Sequence, residues 1–159
     1  MNDDNGLSQP EESVGVTRQY PTNSPKRILV VDDDSDSRQL SVDVLAGSGY
    51  DVEAVLDGDA GWEALQAKRY DLIITDNKMP KMTGIEMIEK LRAARMTPPV
   101  IMATGHLPMN EFARRPRLKP DAMLEKPFSN DELLEMVKEV LCTDDHNDGG
   151  EEVLLPKQP

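Results

Sequence analysis

The chain has 159 residues, enough for one domain of ordinary size with tails. Its 18 Lys and Arg face 30 Asp and Glu, a net charge of −12, so its surface repels phosphate backbones and general nucleic-acid binding is disfavoured. One cysteine, Cys142, excludes an internal disulfide and a cysteine zinc cluster; no apolar run approaches the roughly 18–20 residues that span a bilayer; the acidic start lacks a secretory signal. These properties predict a soluble, cytoplasmic protein.

Residues 1–25 are rich in Asn, Asp, Ser, Gly and Pro without apolar periodicity, which predicts a disordered arm. Residues 143–159 are similar in kind and predict an acidic, flexible tail, which leaves 26–142 as the domain. Neither tail has room for an output domain, and no helix-turn-helix segment is present, so direct transcription control is not expected.

The segment 26–31 is a β-branched apolar run of the kind buried on both faces of a parallel sheet. A helix follows over 35–46 with Leu40, Val44 and Leu45 on one face, punctuated by Gly47 and Gly49. A weaker strand at 51–56 precedes a helix at 59–68, where Trp62 and Leu65 pack on the sheet. The third strand covers 71–75, and Thr83 with Glu86 forms a capping box that opens a helix through Arg95. Strands at 99–103 and 122–125 flank a segment holding Pro108, Pro116 and Pro120, so its helix is short or unformed. A second capping box, Ser129 with Glu132, starts a last helix with Leu133, Leu134, Val137, Val140 and Leu141 inward. Strands alternating with helices imply right-handed crossovers and a doubly wound α/β fold, whose ligand site lies beyond the carboxyl ends of the strands.

Asp32, Asp33 and Asp34 follow the first strand, Asp76 the third, Thr104 the fourth, and Lys126 with Pro127 the fifth. Carboxylates brought to about 5 Å repel by roughly 3 kcal/mol per pair at an effective dielectric near 20. Such a cluster needs a cation, or one member must take up a proton; hard oxygen ligands suit Mg²⁺. A lysine and a hydroxyl beside it complete a site for holding or transferring a phosphoryl group. Asp34 and Asp36 read more simply as acids favoured at a helix N-terminus.

The runs 28–34, 72–80 with 82–84, 101–105 and 125–128 resemble, in order and spacing, the receiver-domain family of response regulators. The resemblance covers about residues 26–141 and implies the flavodoxin-like strand order 2-1-3-4-5. It implies that Asp76 takes phosphate from a histidine kinase or phosphotransfer protein. Asp33 would bind Mg²⁺ directly, Asp32 through water, and Lys78 through its backbone carbonyl. Thr104 would be the switch hydroxyl, Lys126 the lysine that pairs with the phosphoryl group, and Pro127 would follow a cis bond.

Three departures from the family pattern matter. Met123 stands where many members carry Tyr or Phe. Lys78 and His106 occupy the two positions that tune phosphoryl lifetime in the family. The proline-broken segment carries Arg114, Arg115, Arg117 and Lys119, read either as solvated charges or as a docking surface for an acidic downstream partner. The leading expectation is a stand-alone phosphoacceptor that signals by contact and is no enzyme beyond its own phosphorylation and dephosphorylation. The alternatives are a phosphorylation-independent binding module and an aspartate-nucleophile phosphatase. The latter needs a second acid where Lys78 stands.

Overall fold

A computed structural model of the protein describes residues 24–148. Five parallel strands, β1 (Arg27–Val31), β2 (Asp51–Val55), β3 (Leu72–Thr75), β4 (Val100–Thr104) and β5 (Ala122–Glu125), form one sheet in the order β2-β1-β3-β4-β5. The helices are α1 (Ser35–Gly47), α2 (Gly58–Ala67), α3 (Gly84–Ala93), α4 (Met109–Arg114) and α5 (Asn130–Asp148), with a 3₁₀ turn at Pro116–Leu118. Among the described residues no helix is long and apolar enough to cross a membrane.

The central strands β1, β3 and β4 are buried on both faces, which is why they read as unbroken apolar runs. Alternation sends Leu29, Val31, Ile73 and Met102 to one face, where α2, α3, Phe112 and Leu118 complete a core. Ile28, Val30, Ile74 and Ile101 point to the other, against Leu45 of α1 and Leu133, Val137 and Leu141 of α5. Register is continuous at the centre: Val31 pairs with Thr75, and Thr75 with Met102. The strands therefore end in step, and the residues after them share one rim.

Capping fixes where the helices begin. Thr83 Oγ1 accepts from Glu86 N (3.1 Å) while Glu86 accepts from Thr83 N (2.8 Å). Ser129 and Glu132 repeat the exchange at 3.1 and 2.7 Å. Asp34 accepts from Ser37 N (2.8 Å) and so caps α1, at the helix N-terminus where the sequence placed it as a favoured acid.

Some expectations shift. Leu40 is 52% exposed because α1 buries the stripe of Ser41, Val44 and Leu45, which leaves Leu40 at its margin. The last helix runs past residue 142, the expected end of the domain, to Asp148; the first helix-breaking residues after it in the sequence are Gly149 and Gly150. The expected tail thus begins as helix, and its remainder, 149–159, lies outside the described residues, as does the expected N-terminal arm up to residue 23. The segment before β5 is six residues of helix, then the 3₁₀ turn at Pro116, in line with the proline reading. Arg92 of α3 holds that turn, donating to the carbonyls of Arg117 (3.2 Å) and Lys119 (3.3 Å).

Candidate functional site

The shared rim gathers the residues expected there. Asp32 follows β1, and its backbone N–H donates to Val55 O (3.2 Å); Asp76 follows β3 and donates to Val31 O (2.9 Å). Carboxylate oxygens of Asp32, Asp33 and Asp76 lie within 4.8 Å of one another. Asp32 is 5% exposed, Asp76 half-buried and Asp33 exposed. Three acids so close cannot all remain unneutralised, and part of the compensation is visible: Lys126 Nζ donates to Asp32 Oδ2 (2.9 Å) and Asp76 Oδ2 (3.1 Å). Burial works against the Lys126 charge, but the hydrogen bonds and charges of Asp32 and Asp76 outweigh it and hold its pKa above the ordinary lysine value.

Two of the three carboxylates, those of Asp32 and Asp76, are oriented by hydrogen bonds. Asp32 Oδ1 accepts from Asp34 N (3.0 Å), and the Asp32 carbonyl accepts from Arg38 (2.8 Å). Asp76 Oδ1 accepts from Asn77 N (2.6 Å). Asn77 in turn ties the loop to α3, accepting at Oδ1 from Ile85 N (3.0 Å) and at its carbonyl from Gly84 N (3.0 Å). Gly84 is required there, since a Cβ would meet the Asp76 carbonyl and Asn77 Cα. On the loop's other side, buried Asp57 caps α2 through Ala60 N (2.8 Å) and pairs with Lys81 (3.6 Å). Lys81 holds φ at +72°, a left-handed conformation uncommon for a residue with a Cβ.

Thr104 is the last residue of β4 rather than the first beyond it, 2% exposed, with Oγ1 accepting from His106 N (3.4 Å). Lys126 N donates to Thr104 O (2.9 Å), and the Lys126–Pro127 bond is cis. Lys78 is exposed in the loop after Asp76, where its side chain has no partner among the described residues. Met123 is half-buried against the core that contains Phe112. A groove of about 420 Å³ opens beside Lys126, lined by Leu40, Phe128 and Leu133. Sequence reasoning missed Arg38, Asn77 and Asp57. Only Asp57 had a local signal, as an Asp-Gly step before a helix.

Oxygen donors in this number and spacing fit a small hard divalent cation: three carboxylates carry more charge than one ammonium cancels, and exposed Asp33 leaves an open side. The chain matches the response regulator receiver domain family over residues 28–138. It belongs to that family. This receiver is 32% identical over 112 residues to the transcriptional regulatory protein DltR of Streptococcus agalactiae, covering 70% of the chain and 50% of DltR. It is 34% identical over 116 residues to the alkaline phosphatase synthesis transcriptional regulatory protein PhoP of Bacillus subtilis, covering 73% of the chain and 48% of PhoP. The receiver thus spans about half the length of these curated relatives. Their names are those of transcriptional regulators, so the exclusion of nucleic acid read from charge gains no support from them.

Among solved structures, a CheY-like receiver from Methanospirillum hungatei superposes with a TM-score of 0.72 at 32% identity, covering 80% of this chain and all of that one. The response regulator TrrA of Thermotoga maritima, in complex with Mg²⁺ and BeF, gives 0.64 at 30% identity, covering 72% of this receiver and 98% of TrrA. The observed strand order is that of the receiver fold, and the chain is a regulatory domain of two-component signalling.

Proposed function

We propose that Asp76 accepts a phosphoryl group from a histidine kinase or phosphotransfer protein, and that the modified form signals by protein contact in the cytoplasm. The observation that carries this reading is the convergence of Asp32, Asp33 and Asp76 within 4.8 Å beside an ammonium that touches two of them. The Asp76 carboxylate attacks phosphorus; a P–O bond forms as the donor's P–N bond breaks, and the electron pair returns to the imidazole. Lys126, already on Asp76 Oδ2, moves its charge onto the phosphoryl oxygens, and the Thr104 hydroxyl supplies a further donor. Asp32, Asp33, Asp76 and the Lys78 carbonyl would hold Mg²⁺, which neutralises phosphoryl charge when bound. The groove beside Lys126, with exposed Leu40 on its wall, offers the donor protein an apolar seat next to the acceptor. Lys78, two residues after Asp76, and His106, two after Thr104, would set the lifetime of the phosphoryl group; exchanging either should change its decay rate.

The test is incubation with Mg²⁺ and acetyl phosphate, read by intact mass, with Asp76→Asn alongside. A gain of one phosphoryl group in the wild type alone, abolished by chelator, is expected. No gain, together with no Mg²⁺ binding by calorimetry, would sink the proposal and favour a phosphorylation-independent module.

A further inference from the structure

Charge is unevenly distributed over the molecule. Residues 90–120 hold seven Lys and Arg against one acid, Glu111, a net of +6 within a chain of −12. The fold draws these cations together, because the end of α3 packs on the 3₁₀ turn and Arg92 bonds the carbonyls of Arg117 and Lys119.

Some of the seven have structural work. Arg92 is occupied with those carbonyls, and Arg115 spans Glu111 (2.8 Å) and Glu89 (3.4 Å). Lys90 lies 5.5 Å from the centre of the Trp62 ring. Arg114 shares Glu111, yet its side chain is 73% exposed. Arg95, Arg117 and Lys119 are exposed, and their side chains have no hydrogen bond, ion pair or ring contact among the described residues. Their backbone is nonetheless firmly set: Phe112 and Leu118 are 4% and 1% exposed in the core beneath.

Unpaired like charges repel one another, and a rigid scaffold presents them without the ordering cost of a flexible loop. We propose that this face, with Arg95, Arg114, Arg117 and Lys119 as contact residues, docks an acidic segment of a partner protein. The proposal is independent of the Asp76 chemistry. Charge complementarity selects the occupant. A short acidic peptide meets only the local positive field, since acids elsewhere on the domain are screened beyond about 8 Å at physiological salt. A long nucleic acid would run past the patch onto acidic surface, and the Trp62 ring beside it is already covered by Lys90. The chain's own carboxyl-terminal segment starts from α5, which packs on the opposite face of the sheet.

The experiment is fluorescence anisotropy of a labelled dodecapeptide of alternating Glu and Ala, titrated with the full chain. Binding should weaken steeply with salt, and a Gln–Ala peptide should not bind. Reversal of Arg117→Glu with Lys119→Glu should weaken binding about tenfold, since rim charges of this kind act jointly on association. Reversal of the exposed Arg69→Glu with Lys138→Glu makes the same change in net charge on other surfaces and should leave affinity within about twofold. Circular dichroism checks folding, and Arg117→Gln with Lys119→Gln serves should the reversed pair not fold. Absence of peptide binding, or equal losses in the two reversals, overturns the proposal. So does an oligo-dT strand that binds more tightly than the peptide. A chain ending at Asp148 that binds the peptide more than tenfold more tightly would also overturn it, by making the chain's own tail the occupant.

Discussion

Gly84 couples the start of α3 to Asp76, the proposed acceptor, and Gly84→Ala is the sharpest probe of that coupling. The new Cβ would sit against the Asp76 carbonyl and Asn77 Cα, both backbone atoms that no rotamer change can move aside. Overpacking of this sort costs about 1–3 kcal/mol. Replacing Gly by Ala in the first turn of α3 returns about 0.5–1 kcal/mol of backbone entropy. The net loss is therefore up to about 2.5 kcal/mol, or a Tm lower by up to roughly 10 °C for a domain of this size. Because the displaced carbonyl belongs to Asp76 itself, the rate of phosphorylation by acetyl phosphate should fall together with stability. Thermal unfolding followed by circular dichroism and a phosphorylation time course read by mass give the two quantities. Gly47→Ala is the control: it lies in the last turn of α1 with nothing within 4 Å of a Cβ, and should gain about 0.5–1 kcal/mol. A Gly84→Ala protein as stable as wild type and phosphorylated at the same rate would refute the reasoning.

Asp57→Ala should lower stability in urea by about 1–2 kcal/mol through the lost α2 cap, whereas Asp57→Asn keeps the cap and should cost less than half as much. Lys81→Gly and Lys81→Ala both remove the ion pair to Asp57, so the difference between them isolates the left-handed backbone. The Gly variant should be the more stable by about 1 kcal/mol in the same urea assay. Tyr70→Phe tests the bond from the Tyr70 hydroxyl to Glu53 (2.5 Å), which lowers the Glu53 pKa and, with burial as the larger cause, raises that of Tyr70. A carboxyl lowered in the folded state adds stability above its unfolded value of 4.5 and loses it as pH falls through the lower folded value. A phenol raised in the folded state adds stability below 10.0 and loses it as pH rises through the higher value. The Tm gap between wild type and Tyr70→Phe should thus be widest between these limits, narrow in acid and narrow again in strong alkali; a gap constant across pH 3–8 would contradict the Glu53 part.

The strands were readable because a parallel sheet covered on both faces leaves no polar alternation in β1, β3 and β4. β2, at the sheet edge and only half-buried, gave the weaker signal for the same reason. Asp32, Asp33, Asp76, Thr104 and Lys126 were legible as a group because strand ends in step must share a rim. The residues that orient them were not. Arg38 lies on α1 and reaches the Asp32 carbonyl, and Asn77 acts through a contact eight residues away; neither leaves a pattern in the chain. Leu40 misled because hydrophobicity marks a face only where a neighbouring element covers it, and here the cover stops at Leu45 and Val44.

The dependence of the Thr104–Lys126 segment on α3 has a consequence for exchange between related domains. Six residues of helix followed by a 3₁₀ turn are too short to keep their own shape, so Arg92 and Glu89 act as a template lying in a different part of the chain. Transplanted alone into another receiver, the segment would bring its sequence and leave its geometry behind. Moved together with Glu89 and Arg92, it would travel as one heritable part made of two pieces.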